Sequence, residues 1–224
     1  MTQGIKYAVD IVLCIDATGS MSSIIERVKS GALKFYDDLT AKMTSKDKVI
    51  DEMRVRVVAF RDFWADGNDA MKESPFYKLP EEQEAFRSFI STIKAGGGGD
   101  EPENGLEAIA KAIQSDWSTS AERRRQVIVV WTDASAHPLD KQPKPPTYPA
   151  DMPANFDALT DLYEDGQGHM NKSAKRIVLF APEASPWTEI GNNWNQAVVY
   201  PSKAGDGLSD MDYGTILELI SNSI

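Results

Sequence analysis

The sequence predicts an α/β fold: a doubly wound, mainly parallel central sheet flanked by helices on both faces, with one short antiparallel edge strand. Three observations predict it. Short apolar runs recur at Tyr7 to Ile15, Arg54 to Phe60, Gln126 to Trp131 and Arg176 to Phe180, and such runs read as strands buried on both faces. Segments with apolar residues at every third or fourth position lie between them, the period of a helix with one buried stripe. Strands that alternate with helices in this way build parallel sheets.

Tyr7 to Ile15 (YAVDIVLCI) forms the first strand. Ser22 to Met43 then places Ile24, Ile25, Val28, Ala32, Phe35, Tyr36 and Leu39 on one helical face. Arg54 to Phe60 is the second strand, and Ser74 to Leu79 (SPFYKL) the brief edge strand. Pro80 opens a helix: Glu81, Glu82 and Glu84 suit the positive end of its dipole, while Ala85, Phe86, Phe89, Ile90 and Ile93 form its buried face. Gly96 to Gly99 stop it, and Pro102 starts the next, with Leu106, Ile109, Ala110 and Ile113 inward. Gln126 to Trp131 (QVIVVW) adds a buried central strand.

Residues 135–153 contain six prolines and form no regular structure. With a short helix at Phe156 to Tyr163, this surface insertion spans about 135–172. Strands at Arg176 to Phe180 and Ala197 to Tyr200 and a helix over Tyr213 to Ile220 complete the alternation. Without a linker or an internal repeat, residues 1–224 read as one domain.

Composition narrows the function. The 224 residues are 42% hydrophobic and 26% charged, in the range of ordinary globular proteins. A net charge of -10 argues against a nucleic-acid partner, because such binding is driven by Lys and Arg neutralising phosphates. The basic run Arg123 to Arg125 stands at the entrance of a strand and reads as solvated. Cys14, the single cysteine, excludes an internal disulfide and reads as a buried thiol. The N-terminal MTQGIKYAVD has no leader pattern, and no run approaches the roughly 18 apolar residues of a membrane span. The expectation is a cytoplasmic protein with no membrane partner.

In doubly wound sheets, ligands bind at the carboxyl ends of the strands. Three segments there are rich in oxygen: DATGSM at Asp16 to Met21, GGGGDEPEN at Gly96 to Asn104, and TDASAH at Thr132 to His137. Asp16, Thr18 and Ser20 alternate in a tight turn, so their oxygens can face one space. Hard divalent cations take such ligands. With one cysteine and two histidines, a nitrogen and sulfur zinc site is disfavoured, and magnesium or manganese fits better, with calcium a further candidate. Asp16 and Asp100, each taken alone, also suit the N-caps of the helices that follow them.

D-x-T-G-S-M after a buried first strand resembles the metal-ion-dependent adhesion site of von Willebrand factor type A domains. Asp16, Thr18 and Ser20 match its first loop. The family's second loop supplies a threonine five residues before a glycine; counting back from Gly105 gives Asp100, an aspartate in place of that threonine. Asp133 in VVWTDA matches the family's third-loop aspartate. The resemblance covers Tyr7 to the C-terminus, apart from the proline-rich insertion, and implies a Rossmann-like fold. It also implies a binding module, not an enzyme, whose divalent cation is held by Asp16, Thr18, Ser20, Asp100 and Asp133. A protein partner would supply an oxygen to that cation.

The alternative is a magnesium-dependent hydrolase or phosphoryl-transfer enzyme using the same carboxylates. The nearest such pattern needs an aspartate where Thr18 stands. Gly96 to Gly99 lack the following Lys-Ser/Thr of a phosphate loop. His137 and His169 read as surface residues; Trp187 and Trp194 sit in a polar stretch where partial exposure at an interface is one reading and packing the commoner one.

Overall fold

The computed structural model describes residues 5–22, 25, 26, 29, 34–99, 101–119, 123–165, 169–202 and 213–224. Its strands are β1 (Ile5–Asp16), β2 (Lys48–Phe60), β3 (Met71–Glu73), β4 (Tyr77–Leu79), β5 (Arg124–Trp131), β6 (Lys175–Pro182) and β7 (Ala197–Ser202). Its helices are α1 (Phe35–Thr44), α2 (Phe63–Asp66, a single turn), α3 (Gln83–Ser91), α4 (Gly105–Ile113), α5 (Phe156–Glu164), α6 (Trp187–Asn193) and α7 (Tyr213–Ser223). The sheet runs β3-β2-β1-β5-β6-β7, with β4 also paired to β2. Every pairing is parallel except those of β3 and β4 with β2.

Alternation along β1 explains why helices cover both faces. Ile11, Leu13 and Ile15 join one core with Phe35, Leu39 and Met43 of α1, Phe86 and Ile90 of α3, and Leu217 and Ile220 of α7. Val12 and Cys14 point the other way, into a core with α4, α5 and α6. The same split recurs in β5, where Val127 and Val129 face the first core and Ile128 and Val130 the second. A strand buried on both faces has no room for a solvated polar position, so its sequence reads as one apolar run. Asp10 is a charge in the middle of β1; it is 3% exposed, and Arg54 donates to its two oxygens at 2.8 and 2.6 Å.

Several elements depart from the sequence reading. β2 begins at Lys48, six residues before Arg54, because parallel pairing with β1 holds its polar first half. Two short antiparallel strands flank it, β4 inside the expected SPFYKL and β3 ahead of it. The helices expected to open at Pro80 and Pro102 begin three residues later, at Gln83 and Gly105. Pro80 stays in a turn closed by Glu82 N–H on the Lys78 carbonyl. Glu103 is drawn off into a parallel bridge with Ala136. Of the helix expected over 22–43, Ser22, Ile25, Glu26 and Lys29 are helical, as is α1; Ile24, Val28 and Ala32 lie outside the described residues.

Residues 135–153 form neither helix nor strand, yet the insertion is not only surface. Leu139 is 1% exposed, and α5 buries Leu159, Leu162 and Tyr163 in the second core. Trp187 and Trp194 are buried there too, at 0% and 4%, so they serve packing and not an exposed interface. Among the described residues no helix is long and apolar enough to cross a membrane.

The Cys14 thiol is fully buried and 3.6 Å from the Ala108 carbonyl, and burial pushes its pKa far above the ordinary thiol range. A thiol held protonated and shielded does not attack reagents. Native protein is therefore expected to resist a maleimide or Ellman reagent for hours and to label within minutes in urea. Rapid native labelling would contradict β1 as a central strand.

Candidate functional site

Asp16 is the last residue of β1. With β2 on one side and β5 on the other, the carboxyl end of β1 is where the winding of the sheet reverses, the position at which a crevice opens in such folds. Asp16 nevertheless has no exposed surface. Its Oδ1 accepts from Thr18 N–H at 2.9 Å and from Thr18 Oγ1 at 2.6 Å, and its Oδ2 accepts from Thr132 Oγ1 at 2.7 Å.

The oxygens continue from there. Thr18 Oγ1 lies 3.3 Å from Ser20 Oγ, and Ser20 Oγ donates to Asp133 Oδ1 at 3.0 Å. Asp133 is 1% exposed, and its Oδ2 is buried with no hydrogen-bond partner. The structure thus brings together four of the five residues singled out in the sequence: Asp16, Thr18, Ser20 and Asp133. Asp100, the fifth, lies outside the described residues.

Burial raises the Asp16 carboxyl from 3.8 to about 6, against the hydrogen bonds from Thr18 and Thr132 that favour its charged form; nearby Asp133 adds a smaller upward push. Glu103, 4% exposed, is pushed up to about 9, first by burial and then by the charges of Asp16, Asp62, Asp66 and Asp133. A pocket that raises acids in this way is deficient in positive charge.

Glu103 escaped the sequence reading. An acid just after a proline looks like any residue of a helix's first turn, and nothing in PEN says that the helix waits until Gly105. Thr132, which anchors Asp16, is equally invisible as a partner 116 positions away.

The second loop closes on the first through its glycines. Gly96 N–H donates to the Ala17 carbonyl at 3.0 Å, and Gly98 N–H to Asp66 Oδ2 at 2.8 Å. Gly98 has φ +93°, and a Cβ there would lie 2.6 Å from both Glu103 Oε1 and Thr18 Cγ2. No side chain fits, and the backbone itself disfavours one. Gly98→Ala is expected to cost about 2 kcal/mol of stability or more. It should also push Thr18 and Glu103 apart, which urea unfolding followed by a cation titration will read.

His137 is 5% exposed, a correction to its expected surface position. Its N–H donates to the Glu103 carbonyl at 2.8 Å, and its ring meets Trp64 edge-on at 4.9 Å between centroids. The insertion is pulled onto the site by these contacts and by Trp64 Nε1 donating to the Pro143 carbonyl at 2.8 Å. His169 is half-buried.

Among the described residues, no group of three or more His, Cys, Asp or Glu side chains is arranged to hold a metal. Hydroxyls supply half the residues of the cluster Asp16, Thr18, Ser20 and Asp133, and such an oxygen set, with one buried oxygen lacking a donor, suits a hard divalent cation.

A family profile described as "von Willebrand factor A domain" matches residues 10–144. Among curated proteins, the chain is similar to the alpha-protein kinase vwkA of Dictyostelium discoideum, 25% identical over 224 residues that cover 96% of this chain and 33% of that one. The chain therefore spans about a third of that relative's length. Among solved structures, the pilus adhesin SpaC of Lactobacillus rhamnosus GG is similar with a TM-score of 0.56 at 11% identity, covering 96% of this chain and 30% of that chain. The conserved hypothetical protein BatB of Bacteroides thetaiotaomicron is similar with a TM-score of 0.52 at 12% identity, covering 96% and 97%. At these identities the two structures bear on the fold alone.

Proposed function

Starting from a chain that belongs to the von Willebrand factor A domain family, we propose that it is a binding module which recognises a protein partner through a divalent cation. Asp16, Thr18, Ser20 and Asp133, with Asp100 from the second loop, would hold that cation, magnesium or manganese before calcium. The observation that carries the reading is the continuous chain of oxygens from Asp16 to Asp133, which ends in an unpartnered buried carboxylate oxygen. A buried acceptor without a donor is costly, and a cation relieves the cost.

A bound cation supplies a Lewis-acidic position that an oxygen of the partner fills. The chain's own residues do the rest. Thr132 fixes the orientation of Asp16, Ser20 that of Asp133, and the proline-rich segment with Trp64 and His137 walls the approach. In the cluster the hydroxyls of Thr18 and Ser20 are hydrogen-bonded directly to the carboxylates of Asp16 and Asp133, without the histidine that commonly activates a hydroxyl nucleophile, which supports binding over turnover.

Calorimetric titration of wild type with magnesium and manganese, then a phosphatase and esterase screen of the loaded protein, tests the reading. Saturable binding of one cation without turnover is expected. Turnover that depends on Asp133 would replace the module with a hydrolase.

A further inference from the structure

The basic run Arg123 to Arg125, expected to be solvated, is only in part a surface feature. Arg123 is exposed, but Arg124 and Arg125 are half-buried. With Tyr7, Asn171 and Ser173 the three line a cavity of about 480 Å³. It lies at the amino ends of β1, β5 and β6, the rim of the sheet opposite Asp16 and Asp133.

Main chain, not acid, holds these arginines. Arg124 donates to the Thr119 carbonyl at 2.5 Å, and Arg125 to the main-chain oxygens of Ile224 at 2.9 Å and Arg124 at 3.0 Å. Arg176, on the neighbouring strand, donates to those of Ser173 at 3.2 Å and Lys175 at 2.6 Å. Among the described residues, no Asp or Glu side chain pairs with Arg123, Arg125 or Arg176. Arg125 and Lys48 both lie over the Tyr7 ring, 5.2 and 6.0 Å from its centroid. Burial, and then the charge of Arg125, lowers the pKa of Arg176. Like charges gathered without acids repel one another, in a chain whose net charge is -10. An anion from outside relieves that repulsion.

The lining selects the anion. Asn171 Oδ1 accepts from Ser173 N–H at 3.0 Å, Ser173 Oγ at 2.6 Å and Ala174 N–H at 3.2 Å, so its amide nitrogen remains as a donor. Guanidinium forks with amide donors suit phosphate oxygens. One phosphate carries about two negative charges at most, against three guanidinium groups, so several phosphates match the cavity better than one. Tyr7 is 8% exposed and covered by two cations, which leaves it no open face on which to stack a base. The acids of the opposite rim are screened over about 8 Å at physiological ionic strength.

We propose that this cavity binds an oligophosphate, a molecule with several phosphate groups and no stacked nucleobase, held by the arginines with the Asn171 amide and the Ser173 hydroxyl. The site is separate from the cation site and does not rest on it.

Tripolyphosphate is the probe, titrated calorimetrically in metal-free buffer so that cation binding at the other rim does not enter. Wild type is expected to bind it about tenfold or more tightly than orthophosphate, with affinity falling as salt rises. Arg123→Gln, at an exposed side chain, should leave thermal unfolding unchanged and weaken tripolyphosphate about tenfold. Arg123→Lys, which keeps the charge but not the fork, should fall between the two. Lys34→Gln, the same charge change at an exposed residue outside the cavity, should bind like wild type. Phosphatidylcholine vesicles with and without a phosphatidylinositol bisphosphate separate two sources of this chemistry. Binding of tripolyphosphate alone assigns a soluble ligand; binding of the phosphorylated vesicles as well, lost in Arg123→Gln, assigns a lipid headgroup, and both support the site. No binding by wild type, equal affinity for tripolyphosphate and orthophosphate, equal weakening by Arg123→Gln and Lys34→Gln, or tighter binding of a DNA duplex than of tripolyphosphate would overturn it.

Discussion

Asp16→Asn is expected to abolish measurable magnesium binding, an affinity loss of more than about a hundredfold, while leaving the metal-free protein as stable as wild type or more so. The two effects have opposite signs for one reason. Asp16 has no exposed surface, and burial lifts its carboxyl from 3.8 to about 6. The folded state thus holds the proton more tightly than the unfolded one. Stability of the metal-free protein from this group is full below about pH 4, falls as pH rises through about 6 and stays level above, a total of roughly 3 kcal/mol. Asparagine carries no such charge and keeps an oxygen for the Thr18 donors, so its metal-free profile should lack that decline. Magnesium reverses the picture for wild type, since a ligand bound only by the folded state stabilises it by mass action. Urea unfolding at pH 4, 5, 6 and 7, with chelator and with magnesium, reads both effects. Superimposable metal-free profiles for the two proteins would refute the account of Asp16 as a destabilising buried charge.

Trp187→Ala is expected to cost about 3–5 kcal/mol, the range for emptying a buried aromatic site. Trp187 is 0% exposed, and its ring rests against α4 so closely that a Cβ on Gly105 would lie 2.6 Å from Cη2. Its Nε1 donates to the Ala134 carbonyl at 2.9 Å, one residue past Asp133. Removal leaves a cavity, a buried carbonyl that keeps only the longer bond from Thr132 Oγ1 at 3.4 Å, and a loosened third loop together. Trp187→Phe refills most of the volume without the donor, and should lose only about 1–2 kcal/mol. Cation affinity should fall about tenfold in the alanine variant through the displaced Asp133, less in the phenylalanine one. An alanine variant within about 1 kcal/mol of wild type would show that the ring is not the wedge between α4 and the third loop.

What was legible in the sequence follows from which interactions are local. β1, β5 and β6 announce themselves because a strand covered on both faces has no polar alternation, and the period of α3 and α4 is carried by residues three and four apart. The first loop was legible for the same reason: Asp16, Thr18 and Ser20 meet within one turn. Long-range effects were not. Trp194 has polar neighbours in sequence and apolar ones in space, and His137 is buried against Trp64 and Asp62, more than seventy positions upstream. Glu103 is placed by hydrogen bonds to Ser135 and His137, more than thirty positions downstream, which no local pattern records. The first turn of α4 misled for the opposite reason, since Pro102 is a good helix opener that a competing bridge overrules.

The position of β1 between β2 and β5 governs how the molecule assembles in time. Among the described strands the first in chain order is a middle strand, and both of its neighbours follow it along the chain. One neighbour arrives with residues 48–60, and the other only with 124–131. Even after β2 has paired, the other edge of this apolar ribbon waits uncovered for β5, and contacts over such separations form slowly. The oxygens of Asp16 and Asp133 cannot meet before β5 has docked, so a nascent chain gathers the proposed cation site only as its sheet closes around the first strand.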